Sequence, residues 1–364
     1  MTMETDVLII GAGPAGLAAA YETASKGIDV TIVDESISAG GQLIQQTQII
    51  QSLPSSYHPM RGFELAEKLK EHLKEFPIRY LFEHRVIGLY ADGSVGITDE
   101  QNVFPVKAKK IIVATGAAES AVPFPKWTLP GVITIGAAQT LINRDFVLPG
   151  KEAVIVGSSD FAMEVALQLL EAGVNIRGIV ESQPQVTARD KEKIEQVERC
   201  GVPFYLTSSI KEARGNGQLE EIEIQLQDGI LTEKIDLACI DGGRTPILDS
   251  FYQLGCSFSY QEKLGGWIPQ YNKRFQTDRE DVFLAGNAAG ISSQGVLLVT
   301  GMIAGVSVCE ALQAISKEVA EEIRLSLWEE LELLETKLNT EILQERNQHI
   351  ENFANPMLKD QFIS

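Results

Sequence analysis

The spacing of Gly11, Gly13 and Gly16 between a short apolar strand and an alanine-rich helix constrains this chain more than any other feature. Asp6-Val7-Leu8-Ile9-Ile10 reads as a buried parallel strand, Gly11-Ala12-Gly13-Pro14-Ala15-Gly16 as the turn after it, and Leu17 to Ala20 as a helix. A second strand, Asp29-Val30-Thr31-Ile32-Val33, ends in Asp34, with Glu35 beside it. This is a dinucleotide-binding fingerprint with its acidic residue at the expected distance. The first glycine permits the tight turn, the second lets a pyrophosphate approach the backbone, and the third lets helix and strand pack closely. The helix N-terminus then offers N–H donors and a partial positive charge to the phosphates.

A second βαβ unit begins at Glu152-Ala153-Val154-Ile155-Val156, turns at Gly157-Ser158-Ser159-Asp160-Phe161-Ala162 and continues as a helix through Leu170. Its second strand, Asn175 to Val180, ends in Glu181. Between the two units, short strands are expected at Arg85–Tyr90, Ser94–Thr98, Val103–Lys107 and Lys110–Ala114, with a turn at Ala91-Asp92-Gly93. A helix is expected over residues 62 to 75.

The length, 364 residues, suits two domains, and the net charge of −19 argues against nucleic acid or an anionic membrane surface as partner. The N-terminus carries no readable signal or transit peptide, and the apolar run Gly295 to Val308 is short and glycine-rich for a membrane span. A buried helix in a cytoplasmic protein without an integral membrane span is expected. Cys200, Cys239, Cys256 and Cys309 form no CxxC pair, so neither a metal site nor the redox-active pair of a flavin-linked disulfide reductase is expected. In the last fifty or so residues Val319, Ile323, Leu327, Leu331, Leu334, Leu338 and Ile342 form one apolar stripe. The stripe covers either its own domain or a subunit interface. His58, His72, His84 and His349 are isolated and read as surface or internally satisfied residues, and no acid/base pair or nucleophile stands out.

Further motifs narrow the reading. Ala114-Thr115-Gly116-Ala117-Ala118-Glu119, Val122-Pro123-Phe124-Pro125, Trp127-Thr128-Leu129-Pro130-Gly131-Val132 and Gly136-Ala137-Ala138-Gln139-Thr140 are followed by Gly265-Gly266-Trp267-Ile268-Pro269 and Gly286-Asn287. With the two fingerprints, this pattern resembles the thioredoxin-reductase-like flavoproteins with two dinucleotide domains. More narrowly, it resembles the α (A) subunits of heteromeric amino- and imino-acid dehydrogenases: proline and D-hydroxyproline dehydrogenases, octopine and nopaline oxidases, hydrogen cyanide synthase and heterotetrameric sarcosine oxidase.

The resemblance implies an α/β fold with two Rossmann-like domains. A discontinuous FAD domain (1–118 and 266–315) would enclose an NAD(P)-type domain (119–265), with a helical segment over 316–364. It implies FAD held by Gly11, Ala12, Gly13, Pro14, Ala15, Gly16, Asp34 and Glu35. Gly41 and Gln42 would lie near the ribityl or isoalloxazine region, Val86 near adenine, Ala114, Thr115 and Gly116 over the cofactor, and Gly286 and Asn287 at the ribityl chain. Gln294, Gly295 and Val296 would begin a helix facing the flavin pyrimidine. Asn287 replaces the usual Asp yet can still hydrogen-bond a ribityl hydroxyl.

At the second site Gly157, Ser158, Asp160 and Glu181 are the candidates, with Gly242 and Gly243 either near a nicotinamide or simply at a strand-to-loop turn. Ser159 for the middle glycine crowds a pyrophosphate, so NAD(H), another adenine nucleotide and a structural remnant all stay open. Glu181, with no arginine after it, disfavours NADP. No cysteine follows Cys309, so no iron–sulfur cluster is expected in this chain. The implied partners are a β subunit of the D-amino-acid-oxidase type and a small iron–sulfur subunit, and the implied substrate is an amino or imino acid. A stand-alone NAD(P)H-dependent flavin reductase or NADH oxidase, and a non-catalytic nucleotide-binding scaffold, are the alternatives.

Overall fold

The computed structural model describes residues 2–90 and 93–354, so Ala91 and Asp92 of the expected turn lie outside the described residues. The chain is mixed α/β and divides into two compact units, one of residues 1–118 with 245–364 and one of residues 119–244.

The first unit is built on a seven-stranded sheet. Met3–Ile10 pairs in parallel with Val30–Asp34 on one side and with Val103–Val113 on the other, and Val30–Asp34 pairs with Arg79–Phe82. Val282–Leu284 also joins Val103–Val113 in parallel. Val7, Leu8, Ile9 and Ile32 are wholly buried, as parallel strands covered on both faces must be. The strands expected at Val103–Lys107 and Lys110–Ala114 are one eleven-residue strand. Its first part pairs antiparallel with Val95–Thr98 and the rest in parallel with Met3–Ile10, so the pairing partner changes while the strand runs on.

The fingerprint helix, Pro14–Ala24, starts with proline at its first turn, where the missing N–H costs nothing. It packs against the helix Gln294–Ala311 at points where that helix has no side chain. A Cβ on Gly301 would lie 2.2 Å from the Ala15 carbonyl oxygen, and one on Gly305 would lie 2.9 Å from that of Ala19. Gln294–Ala311 is apolar and long enough to cross a membrane by length and composition, but 78% of it is buried.

The first unit resumes earlier than expected, at Thr245 rather than 266. Phe251, Leu254 and Cys256 join Leu264, Ile268 and Leu284 in one core, which draws 245–265 away from the inserted unit. The apolar stripe is also divided. Lys317–Leu338 and Thr340–Ala354 are separate helices, broken at Asn339, whose backbone is extended (φ −164°, ψ 108°). The buried face of the first is Ala320, Arg324, Trp328, Leu331, Leu334 and Glu335, and Trp328, Leu331 and Leu334 belong to the core of their own unit. Val319 and Leu338, two members of the expected stripe, are exposed.

The second unit has a five-stranded parallel sheet in the order Val132–Thr134, Leu237–Ile240, Glu152–Val156, Asn175–Val180, Phe204–Tyr205. Alternate residues face opposite ways. Ala153, Ile155, Ile179 and Leu237 meet helix residues such as Val165, Ala166 and Leu169, whereas Val154, Val180 and Ala238 meet the antiparallel pair Ser209–Arg214 and Glu221–Leu226 through Ala213, Ile222 and Ile224.

Candidate functional site

In the first unit the fingerprint glycines divide by what surrounds them. Gly11 has φ +107°, and a Cβ there would lie 2.3 Å from the Ala114 carbonyl oxygen, so the turn is pressed against the end of the central strand. A Cβ on Gly16 would lie 1.9 Å from the Gly11 oxygen. Both are glycine because the polypeptide itself leaves no room. Gly13 is different: an added Cβ meets nothing within 4 Å, and its φ of −74° suits any residue. Its openness is a space for something other than protein.

The Pro14–Ala24 helix has no side chain capping its N-terminus. Its first-turn N–H groups are therefore donors without an intrahelical acceptor. Asp34 closes the turn from the other side, its Oδ2 accepting from the Ala12 N–H (2.6 Å) and its Oδ1 from the Ser36 N–H (2.8 Å). Beyond it opens a cleft of 460 Å³ lined by Glu35, Ser36, Ile37, Glu83, Arg85, Asp99 and Glu100. Val86, the residue after Arg85, pairs with Ile97 on the neighbouring antiparallel strand.

Of the other expected segments, Gly40 and Gly41, Ala114 and Gly286 come back to the fingerprint turn. Gly40 N–H donates to the Ala12 oxygen (2.8 Å), and Gly41, at φ +54°, brings its α-carbon so close that a Cβ would lie 2.8 Å from Gly13 Cα. Gln42 is exposed and accepts a hydrogen bond from Gln45. Ala114 N–H donates to Ile10 O (2.8 Å), the Thr115 hydroxyl donates to Ile247 O (3.0 Å), and Gly116 takes φ +77°. Gly286, at φ +71°, would put a Cβ 2.9 Å from that of Ala15, and its N–H donates to the Thr300 hydroxyl (2.8 Å). Asn287 Oδ1 accepts from the Ser292 N–H (3.4 Å).

The helix that starts at Gln294 also lacks a side-chain cap, although Ser293 stands at its N-cap position. The Ser293 hydroxyl and Gln294 Oε1 are buried without a hydrogen-bond partner, and so is Gln46 Oε1 in the segment after Gly41. A Cβ on Gly295 would lie 2.4 Å from Ser52 O, which ties the helix start to that segment. Buried polar atoms normally find partners. Three orphans in the two segments expected to flank a flavin ring, together with the open Gly13 and two uncapped helix N-termini, fit a bound dinucleotide with a polar ring system.

The second unit has the same plan in a different state. Gly157 (φ +101°) is pressed on Asp241, where a Cβ would lie 2.5 Å from the carbonyl oxygen. Ser158 is buried; its hydroxyl donates to Glu181 Oε2 (2.6 Å) and accepts from the Thr187 N–H (2.9 Å). Glu181 Oε1 accepts from the Gln183 N–H (2.9 Å). Ser159 caps its own helix by accepting from the Ala162 N–H (3.3 Å). The Asp160 carboxylate accepts from the Arg189 and Asp190 N–H groups (2.8 and 2.9 Å) and so braces the following loop. Gly242 and Gly243 meet residue 120: a Cβ on Gly242 would lie 2.2 Å from Ser120 O, and Gly243 O accepts from the Ser120 N–H (2.9 Å). Glu119, unassigned from sequence, accepts from the Gly136 N–H (2.7 Å) at a helix start.

Among the described residues no group of His, Cys, Asp and Glu is placed to hold a metal ion, and all four cysteines are free thiols. Burial pushes Cys256 up to about 11 and Cys309 up to about 12. His349 is buried, bonded to Pro269 O (3.1 Å) and to the Ser259 hydroxyl (3.0 Å). Sequence reasoning missed Arg346 and Glu335, which are buried as a pair in the C-terminal helices. The available signal was Glu335 itself, a charge on the buried face four residues after Leu331.

Residues 5–325 match the family described as pyridine nucleotide-disulphide oxidoreductases. The chain is 27% identical over 352 residues to hydrogen cyanide synthase subunit HcnB of Pseudomonas aeruginosa, covering 90% of this chain and 75% of that one. It is 25% identical to an opine oxidase subunit of Rhizobium meliloti (84% and 71% covered) and 29% identical to the alpha subunit of sarcosine oxidase from Rhizobium meliloti (66% and 26%). Among solved structures, L-proline dehydrogenase from P. horikoshii superposes with a TM-score of 0.68 at 20% identity, covering 89% of this chain and 59% of that one. T. acidophilum thioredoxin reductase superposes with a TM-score of 0.69 at 19% identity, covering 85% and 99%. These likenesses show a two-domain, thioredoxin-reductase-like fold.

Proposed function

The chain belongs to the pyridine nucleotide-disulphide oxidoreductase family and is an FAD-dependent oxidoreductase; on that premise we propose that it is the FAD-carrying α subunit of an amino- or imino-acid dehydrogenase complex. The observation that carries this reading is the kind of relative it has: chains named as subunits of hydrogen cyanide synthase and opine oxidase match it over most of its length.

In this reading Asp34 takes the adenosine ribose hydroxyls, the open face of Gly13 admits the pyrophosphate, and the N–H groups at the two uncapped helix starts meet negative charge. The Ser293, Gln294 and Gln46 side chains supply the polar contacts that their buried atoms lack within the protein. FAD held there would supply the two-electron chemistry, which is the cofactor's own. Disulfide reduction is set aside, because the four cysteines form no CxxC pair and Cys239, Cys256 and Cys309 are buried and held protonated rather than poised as thiolates. Electrons would arrive from a partner of the D-amino-acid-oxidase type. A small iron–sulfur subunit completes the proposed complex, and no cluster is placed in this chain.

The test is the visible spectrum of the purified chain, followed anaerobically after NADH is added and then after a copurified partner and its amino-acid substrate are added. Bleaching only with partner and substrate supports the reading. Fast bleaching by NADH alone supports a flavin reductase with a live second site, for which Glu181 is the favouring feature. A flavin that neither reduces supports a scaffold.

A further inference from the structure

The C-terminal helices Lys317–Leu338 and Thr340–Ala354 bury a complete ion pair. Arg346 is 0% exposed and Glu335 1%. Arg346 forks onto the carboxylate, with Nε to Oε2 at 3.0 Å and Nη2 to Oε1 at 2.7 Å. Its Nη1 donates to the Tyr271 hydroxyl (2.8 Å) and to the Ala289 carbonyl (2.5 Å), and Tyr271 donates to the same carbonyl (2.8 Å). Glu335 Oε1 accepts from the Ser292 hydroxyl (3.1 Å), and Ser292 N–H donates to Asn287 Oδ1 (3.4 Å).

Desolvating two charges costs about as much as their attraction returns, so a buried pair is a poor device for stability alone. What distinguishes this one is where its remaining bonds land. Ala289 and Ser292 both lie between Gly286-Asn287 and the uncapped helix start at Gln294. We propose that Arg346 and Glu335 are positioning residues for FAD: from the C-terminal helices they fix the 286–293 segment, and with it Asn287 and the helix start that meet the cofactor. The inference rests on the FAD reading above. The C-terminal helices have an anchor of their own, because Trp328 stacks on Phe275 (5.4 Å between ring centres), which stacks on Tyr271 (5.2 Å). His349 of the second helix packs on the same Tyr271 ring (4.6 Å between ring centres), so loss of the polar network leaves both helices docked.

Full-length protein is stripped of FAD and titrated with it, and melting is recorded with and without the cofactor. Ser292→Ala cuts only the link between Glu335 and the segment and should weaken FAD roughly 3- to 10-fold with apoprotein melting unchanged. The double variant Arg346→Met/Glu335→Met, which leaves no unpaired buried charge, should weaken it roughly 10- to 100-fold and alter the fine structure of the bound flavin's visible bands. Holoprotein melting should fall more than apoprotein melting in both. Wild-type FAD affinity and spectrum in the double variant, or equal falls with and without FAD, would overturn the proposal and leave the pair a structural one. If the double variant fails to fold, Ser292→Ala decides, and unchanged affinity there overturns it. A wild-type apoprotein that takes up no FAD would instead overturn the cofactor reading itself.

Discussion

Gly13 and Gly16 are both fingerprint glycines, yet their substitution by alanine should do opposite things. At Gly16 the new Cβ would sit 1.9 Å from the Gly11 carbonyl oxygen, a backbone atom that cannot swing aside, so the helix must back away from the turn. Overpacking of that kind costs about 1–3 kcal/mol of folding stability whether or not a cofactor is bound. At Gly13 the Cβ meets no protein atom within 4 Å, and the backbone already lies where alanine is comfortable. The small loss of alanine for glycine at an N-cap is opposed by the reduced freedom of the unfolded chain, so the apoprotein should change by less than about 1 kcal/mol. On the proposed FAD reading, the methyl would occupy the space through which a pyrophosphate reaches the helix N–H groups. Losing two charge-assisted hydrogen bonds at about 1.5–3 kcal/mol each raises the FAD dissociation constant by roughly 10²- to 10⁴-fold. Urea denaturation of the apoprotein and quenching of flavin fluorescence on titration measure the two quantities separately. A Gly13→Ala protein that binds FAD like wild type would refute the assignment of that open face to the pyrophosphate.

Asp34→Ala removes the acceptor for the Ala12 and Ser36 N–H groups as well as for the ribose; FAD affinity should fall roughly 10- to 100-fold in the same titration, with apoprotein stability lower by about 1–3 kcal/mol. Burial, and then the neighbouring Arg346 charge, hold His349 down to about 4, so the folded chain refuses a proton that the unfolded chain binds near pH 6.5. Its contribution is full above pH 6.5 and is lost as pH falls toward 4, at most about 3 kcal/mol. A His349→Gln protein should therefore lose stability less steeply over that range, and parallel melting curves against pH for the two proteins would dismiss the idea. Iodoacetamide at neutral pH should label Cys200, which is exposed, and spare Cys239, Cys256 and Cys309 until the protein unfolds, as peptide mass spectrometry can read.

The strand–glycine–helix units were legible because the strand, turn and helix of each are contiguous in sequence. Strand residues buried on both faces must be apolar, and Gly11, Gly16 and Gly157 answer to contacts made with a strand end or turn of the same unit. What depends on distant packing was not legible. Nothing near residue 245 marks it as the point of return; that boundary follows from Phe251, Leu254 and Cys256 finding partners at Leu264, Ile268 and Leu284. The break at Asn339 was hidden because the apolar spacing runs on through it. The stripe itself was displaced by counting only apolar residues, since the buried face also carries Arg324 and Glu335. Arg324 is tolerated there because Glu310 reaches it, and Glu335 because Arg346 does. Each pairing joins different helices.

The two fingerprints share a fold and differ at the helix N-terminus, and that difference bears on electron flow. In the first unit the N-cap is Gly13, which caps nothing, so an anion meets unpaired N–H groups and the positive end of the helix dipole. In the second, Ser159 has already paired the Ala162 N–H, and the Ser158 hydroxyl has paired one oxygen of Glu181. Asp160 stands in the first turn, where its charge opposes any phosphate. An incoming pyrophosphate would have to displace a serine cap, at about 1 kcal/mol, against that carboxylate. The substitutions that blur the second fingerprint in sequence are thus the ones that quench its anion site in structure. On the proposed reading, that coincidence favours entry of electrons from a partner subunit over entry from NADH.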